Sequence, residues 1–394
     1  MIRAIRLGLA AVSAALMATA AAHAQSPAPS AEGRAYAIRA EVLDLVAAGR
    51  KAEARTRFDA AMAAGELGPS PALDLAMTAL AVGDDDTALA AFARAQKTGS
   101  LPPAAALDAA YAAKRRGRDA TALADFRLGL DAARDGQIEL PPQTEAGLRR
   151  DYANLSRRFG VNGYLGYGEA GVANAVTPFR DARGVTQAGL EAYVRPFGYR
   201  NGAPVEVFAR AFETLDAPAG DPEGGKTRQG WIGARWKPLS DQNVVLEASR
   251  MVRLGRLARN DWMARAAWSG GTSLDVAEPP GLQPMWSAYA DVARIVDAHQ
   301  TLAVAETRLG AVLRPHGDRN GLVVPFVGAA AGYDNTLARK GALGAGPGVQ
   351  IRRWFNASDY AAPRSYLDLT AQYRVRLAGD RRAEGWFVTL GASF

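Results

Sequence analysis

From about residue 160 the chain alternates apolar and polar residues with a period of two, segment after segment, and it finishes on GWFVTLGASF. Counted back from that end, Phe394, Ala392, Leu390, Val388 and Trp386 share one face. Ser393, Gly391, Thr389 and Phe387 share the other, which is small or polar apart from Phe387. A period of two belongs to a strand whose faces meet different surroundings. Chain ends usually fray, so a terminal run this regular predicts a strand held inside a sheet. Two environments fit the alternation: a soluble sheet packed on a core, or a membrane β-barrel with lipid outside and water within.

The other segments favour the barrel. VTQAGLEAYVRPF sets Ala188, Leu190, Ala192 and Val194 against Gln187, Glu191 and Arg195. PVEVFARAF sets Val205, Val207, Ala209 and Ala211 against Glu206 and Arg210. GWIGARWK sets Ile232, Ala234 and Trp236 against Arg235, and DWMARAAW sets Trp262, Ala264, Ala266 and Trp268 against Arg265. SYLDLTAQYRVRL sets Leu367, Leu369, Ala371, Tyr373 and Val375 against Asp368, Thr370, Gln372 and Arg374. The clean apolar faces match the roughly 9–11 residues a tilted strand needs to cross a bilayer. Trp262 and Trp268 stand at strand ends, as in an interfacial aromatic girdle. The opposite faces carry both charge signs, which suits a hydrated lumen with cross-strand pairing.

The N-terminus, MIRAIRLGLAAVSAALMATAAAHAQ, has two arginines, an apolar run and an A-x-A site, and is expected to be a signal peptide over residues 1–24. No later stretch is long and apolar enough for a transmembrane helix. A chain crossing a membrane without such helices must do so as a closed barrel. Cysteine is absent, so neither disulfides nor thiol chemistry is available. The net charge of +7 is not gathered into a basic block and does not suggest nucleic acid.

Before residue 160 the period is helical, and all seven tryptophans lie after it. Gly49, Gly83 and Gly117 are spaced 34 residues apart; each is followed five residues later by an alanine (Ala54, Ala88, Ala122) and nine later by a phenylalanine (Phe58, Phe92, Phe126). Glycine suits the tight turn between paired helices, alanine their close approach, and phenylalanine the groove between them. This period and pattern resemble tetratricopeptide (TPR) repeats. Their residues are expected to be packing positions, and the functional implication is a concave surface for a periplasmic protein partner.

The expected organisation is a signal peptide (1–24), a linker (25–34), an all-α TPR-like domain (35–158) and an antiparallel transmembrane barrel (160–394) of about 12 strands, at roughly 20 residues per strand and connection. DAPAGDPEGGK and DNTLARKGALGAG are expected as long outer loops, and YRNGA and LSDQN as short periplasmic turns. GGTSLDVAEPPGLQP is long where a short turn is expected, and AYADVARIVDAHQTLAVAETRLGAVL also admits a helical reading. GAGPG, at residues 344–348, reads as a loop before a strand.

Export signal, repeats and barrel together resemble the bacteriophage N-four adsorption protein family and the exopolysaccharide-export porins of the outer membrane. By residue the resemblance rests on the three repeat motifs and the terminal strand; the repeat array is far shorter than in most of those porins. The resemblance implies an outer-membrane location, with the helices in the periplasm. It also implies a terminal strand (Trp386, Val388, Leu390, Phe394) recognised by the barrel-assembly machinery, and a lumen for exported polysaccharide. Arg195, Arg210, Arg235, Arg265 and Arg374 are the expected lumen residues. They either line an open path or pair with Glu191, Glu206 and Asp368 to close it, as in a plugged receptor or scaffold. No catalytic, cofactor-binding or metal site is expected: beyond His23 only His299 and His316 are present, and no nucleophile or phosphate-loop motif is found.

Overall fold

The computed structural model describes residues 30–168, 184–275, 281–315 and 320–394. The expected signal peptide, His23 and His316 lie outside them. Seven helices come first: α1 (Ala31–Ala47), α2 (Lys51–Ala63), α3 (Ala72–Ala81), α4 (Asp85–Lys97), α5 (Pro103–Arg115), α6 (Asp119–Arg134) and α7 (Pro142–Ser156). The first begins inside the stretch expected as linker, because the Ser30 hydroxyl accepts the Gly33 N–H at 3.0 Å and caps it.

Gly49, Gly83 and Gly117 each end the turn that follows the first helix of a pair, with φ of 76°, 78° and 66°, a left-handed conformation that glycine adopts without strain. Ala54, Phe58, Ala88, Phe92, Ala122 and Phe126 are all buried in the following helices. A third position recurs twelve residues after each turn glycine: Ala61, Ala95 and Gly129. Each is buried, and at Gly129 a Cβ would collide with the Leu107 side chain.

Twelve strands follow: β1 (Phe159–Tyr167), β2 (Thr186–Val194), β3 (Val205–Asp216), β4 (Gln229–Trp236), β5 (Asn243–Arg253), β6 (Asp261–Gly271), β7 (Gly281–Ile295), β8 (Gln300–Arg314), β9 (Gly321–Asp334), β10 (Gly341–Phe355), β11 (Ser365–Gly379) and β12 (Gly385–Ser393). Each pairs antiparallel with its neighbours, and β1 pairs with β12, so the sheet closes on itself. A closed barrel has no second sheet to cover its outer face, which removes the soluble-sheet alternative. Leu190, Ile232, Trp262, Leu309, Val327, Leu377 and Trp386 are among the large apolar side chains left exposed. Among the described residues no helix is long and apolar enough to cross a membrane.

Three local expectations change. Residues 288–313 are not helical: β7 and β8 are paired in continuous register from Gly281↔Arg314 to Ile295↔Gln300, joined by a hairpin with His299 at φ 51°. GAGPG is not a loop but lies within β10, so the expected loop DNTLARKGALGAG shortens to residues 335–340. Glycine is needed there because neighbours approach closely: a Cβ on Gly344 or Gly346 would strike the carbonyl oxygens of Ala383 or Tyr373, and one on Gly348 would meet Phe326 Cζ at 2.5 Å.

By contact density the chain divides at Leu101/Pro102 into two units, rather than where helix gives way to strand. The second unit contains α5–α7 together with the barrel. Asp119 at the start of α6 accepts the Tyr199 N–H at 2.6 Å in the β2–β3 turn. Arg150 of α7 pairs with Asp275 after β6 at 3.4 Å. Tyr360, in the β10–β11 turn, donates to Asp131 at 2.9 Å and lies beneath the guanidinium of Arg127. These three turns lie four strands apart around the ring of twelve. The helices therefore reach across the mouth of the barrel instead of leaning on one side of it.

Candidate functional site: the barrel interior

Direct cross-strand partners point to the same face; Arg210, Arg235 and Arg265 share the inward face with the buried Glu206 and Glu247, Arg374 is itself buried there, and Arg195, one residue beyond β2, joins them through Glu206. Four of these five expected arginines form one chain of alternating charge. Arg195 Nε donates to Glu206 at 2.8 Å; Arg235 joins Glu206 at 2.5 Å and Glu191 at 2.8 Å. Arg210 lies 3.7 Å from Glu191 and bonds to Glu247. Arg265 lies 3.7 Å from Glu247, and its Nε donates to Asp291 at 2.8 Å. Tyr289 closes the series, donating to Asp291 at 2.7 Å. Four guanidinium groups thus alternate with four carboxylates from β2 to β7. Aromatic faces support them, with Phe208 4.6 Å below Arg210 and Tyr193 5.3 Å from Arg235.

Arg374 is separate. It stands on β11, 3.6 Å from Glu306 of β8, which also pairs with Arg308 at 3.4 Å, and it lies 4.2 Å over the Phe387 ring. Asp368, named with Glu191 and Glu206 as a closing carboxylate, pairs with Arg352 at 2.7 Å.

Beside these networks, apolar side chains form two clusters in the interior. Tyr193 and Phe208, near the helical end, pack with Trp231, Met251, Met263, Ile295 and Leu302, which stand toward the other end. Met285, Val312, Leu322, Val324 and Phe326 pack at the helical end, with Leu274 against them. Leu274 belongs to the connection that was too long for a short turn. It folds over the mouth, where its carbonyl accepts from Trp354 Nε1 of β10 at 3.3 Å, while Ser273 O accepts from Arg314. The extra length is used to reach past β8 and β9 to β10. A cavity of about 340 Å³ remains at the helical end, lined by Arg195, Glu206, Arg235, Glu247, Arg265 and Tyr289 among others.

Glu247, Asp291, Glu306 and the apolar clusters were not anticipated from sequence. Their signal was faint: Phe208, Met263 and Phe387 each interrupt a face that otherwise reads as polar. A lumen filled with water gives no reason for three large apolar side chains on that side. The Trp231 indole N–H and Asp291 Oδ1 are buried without a partner. Among the described residues no group of three or more His, Asp or Glu side chains is placed to hold a metal ion.

Several solved structures share the barrel fold. They include the COG4313 outer membrane channel from Pseudomonas putida F1 (12% identity, 62% of this chain and 97% of that one, TM-score 0.37) and the KdgM porin (7%, 60% and 98%, 0.32). A third is a bacterial polysaccharide outer membrane secretin (7%, 61% and 98%, 0.29). No curated protein matches the chain. The chain is a closed antiparallel β-barrel of twelve strands, and over residues 220–390 it matches the family described as bacteriophage N adsorption protein A C-term, the same family its sequence resembles.

Proposed function

We propose that this protein is an outer-membrane barrel closed from within. In this reading α5–α7 lie over its periplasmic mouth, and the TPR-like helices offer a docking surface to a periplasmic protein. Such a plugged barrel acts as a receptor or scaffold and not as a standing pore. The observation that carries the reading is the filled interior: two apolar clusters, two ion-pair networks and the Leu274 loop occupy the space an open channel would leave to water. Twelve strands enclose a width between barrels filled by side chains and open porins, so filling is within reach of side chains of this size. Planar-bilayer recording tests it. The purified protein is expected to be silent, and steady ohmic conductance overturns the closed reading.

The exopolysaccharide-export reading keeps one supporting observation. The cavity at the helical end presents alternating guanidinium and carboxylate groups with a tyrosine, a lining suited to the hydroxyls of a polar chain. Export through this barrel requires the Leu274 loop to withdraw from Trp354 and the Arg150–Asp275 contact to part. Loss of surface polysaccharide on deletion of the gene, restored by the wild-type chain, supports export; unchanged polysaccharide leaves the receptor or scaffold. Nothing in either reading calls for enzymatic chemistry.

A further inference from the structure

The outer face of the barrel carries a small charged cluster that neither closure nor transport explains. Arg250 of β5 pairs in register with Ile232 on one side and Trp262 on the other, both prominently exposed, so it faces outward with them. Arg294 of β7 pairs with Ala264, two residues along the same face of β6 from Trp262. Both stand near the strand ends away from the helices, since β5 finishes at Arg253 and β7 at Ile295.

Neither arginine forms an ion pair among the described residues. The Arg250 guanidinium lies 5.5 Å from the Trp262 ring centroid, which covers its face and leaves its N–H edge open. Arg294 is held in place from the hairpin: Nη1 donates to His299 O at 2.9 Å and to Thr301 Oγ1 at 2.7 Å. Nη2 also lies 3.4 Å from His299 Nδ1, so the hairpin orients the guanidinium from one side while the five-donor fork keeps further N–H groups. An outward arginine is most costly at the bilayer midplane and cheapest at the interface, where tryptophan also concentrates. A guanidinium oriented by its neighbours and lacking a carboxylate suits bidentate binding of phosphate.

We propose that Arg250, Trp262 and Arg294 bind the phosphate of a lipid at the barrel end opposite the helices. With the orientation proposed above, on which this choice of leaflet rests, that lipid is the phosphorylated glycolipid of the outer leaflet. The indole packs against the lipid beside the headgroup, and the two guanidinium groups hold its phosphate.

The test uses the full chain folded in detergent and native mass spectrometry. Diphosphorylated lipid A is titrated against lipid A stripped of phosphate, with inorganic phosphate as competitor. The wild-type protein is expected to bind the phosphorylated lipid at least tenfold more tightly than the stripped one. R250Q/R294Q is expected to lose that preference and R250K/R294K to keep part of it; R353Q, at an arginine paired in register with the exposed Leu367 near the helical end of β10, is expected to keep all of it. Millimolar inorganic phosphate is expected not to displace the lipid. Equal binding of both lipids by the wild-type chain, or an unchanged preference in a folded R250Q/R294Q protein, overturns the proposal. If the double variant does not fold, the comparison of lipids on the wild-type chain decides alone. Protease access to the helices in intact cells tests the orientation separately.

Discussion

Glu247→Gln separates a filled interior from a hydrated one. Glu247 is shared by Arg210 and Arg265, and its side chain is 2% exposed. Removing one partner of a buried ion pair costs about 3–5 kcal/mol, because a charge is left without compensation. Here each arginine keeps a second carboxylate, Glu191 for Arg210 and Asp291 for Arg265, so the low end, about 3 kcal/mol, is expected. With a urea dependence of about 2 kcal/mol per molar, the unfolding midpoint falls by about 1.5 M. The assay is urea unfolding in detergent micelles, followed by tryptophan fluorescence and by mobility of unboiled samples on gels. Glu213→Gln is the control: its pair with Arg228 lies on the outer face, with the Arg228 side chain 52% exposed, and such pairs contribute about 0–1 kcal/mol. Raising the salt to 1 M shortens the Debye length to about 3 Å and should leave the Glu247 effect largely intact. If Glu247→Gln costs no more than Glu213→Gln, water reaches the network and the reasoning for a closed barrel fails.

Asp125 of α6 is buried, and burial pushes its carboxyl up to about 6. The folded protein then binds more protons than the unfolded chain between about pH 4 and 6, so helical stability declines as pH rises through that window and levels off above it. Asp125→Asn should remove the slope and stabilise the helices at pH 7 by about 1–2 kcal/mol, read from thermal melts of helical ellipticity in the full chain at pH 4.5 and 7. Phe92→Ala should cost about 3–5 kcal/mol in the first unit while the unboiled gel mobility of the barrel stays unchanged; loss of both together refutes the division at Leu101/Pro102. Phe394 exchanges two backbone hydrogen bonds with Val161, at 2.9 and 3.2 Å, and packs edge-on to Phe355 at 5.6 Å. Phe394→Glu should therefore lower the yield of closed barrel in cells, and a normal yield counts against a role for this residue at the β1–β12 seam.

Much of this protein is determined by periods that any stretch of its sequence displays. Alternation by two depends only on the geometry of an extended backbone, so it marked which side of each strand Leu190, Trp262 or Arg265 would occupy before any partner was known. The turn glycines are equally local: Gly49, Gly83 and Gly117 answer to a backbone angle, and the buried Phe58, Phe92 and Phe126 to a fixed distance along the next helix. What the inward faces do to one another is not local. Arg210 and Glu247 are brought together from β3 and β5 across an intervening strand, and Glu306 meets Arg374 from β8 and β11. Those meetings depend on closure, tilt and register of the whole ring, which no segment encodes alone. For the same reason GAGPG reads locally as a loop, because glycine is permissive everywhere, and only the close approach of Tyr373, Ala383 and Phe326 makes it strand. The Leu274 loop and the helices over the mouth follow the same rule. Their length and composition are visible in the sequence, but whether they block the barrel depends on which wall the closed sheet brings within reach.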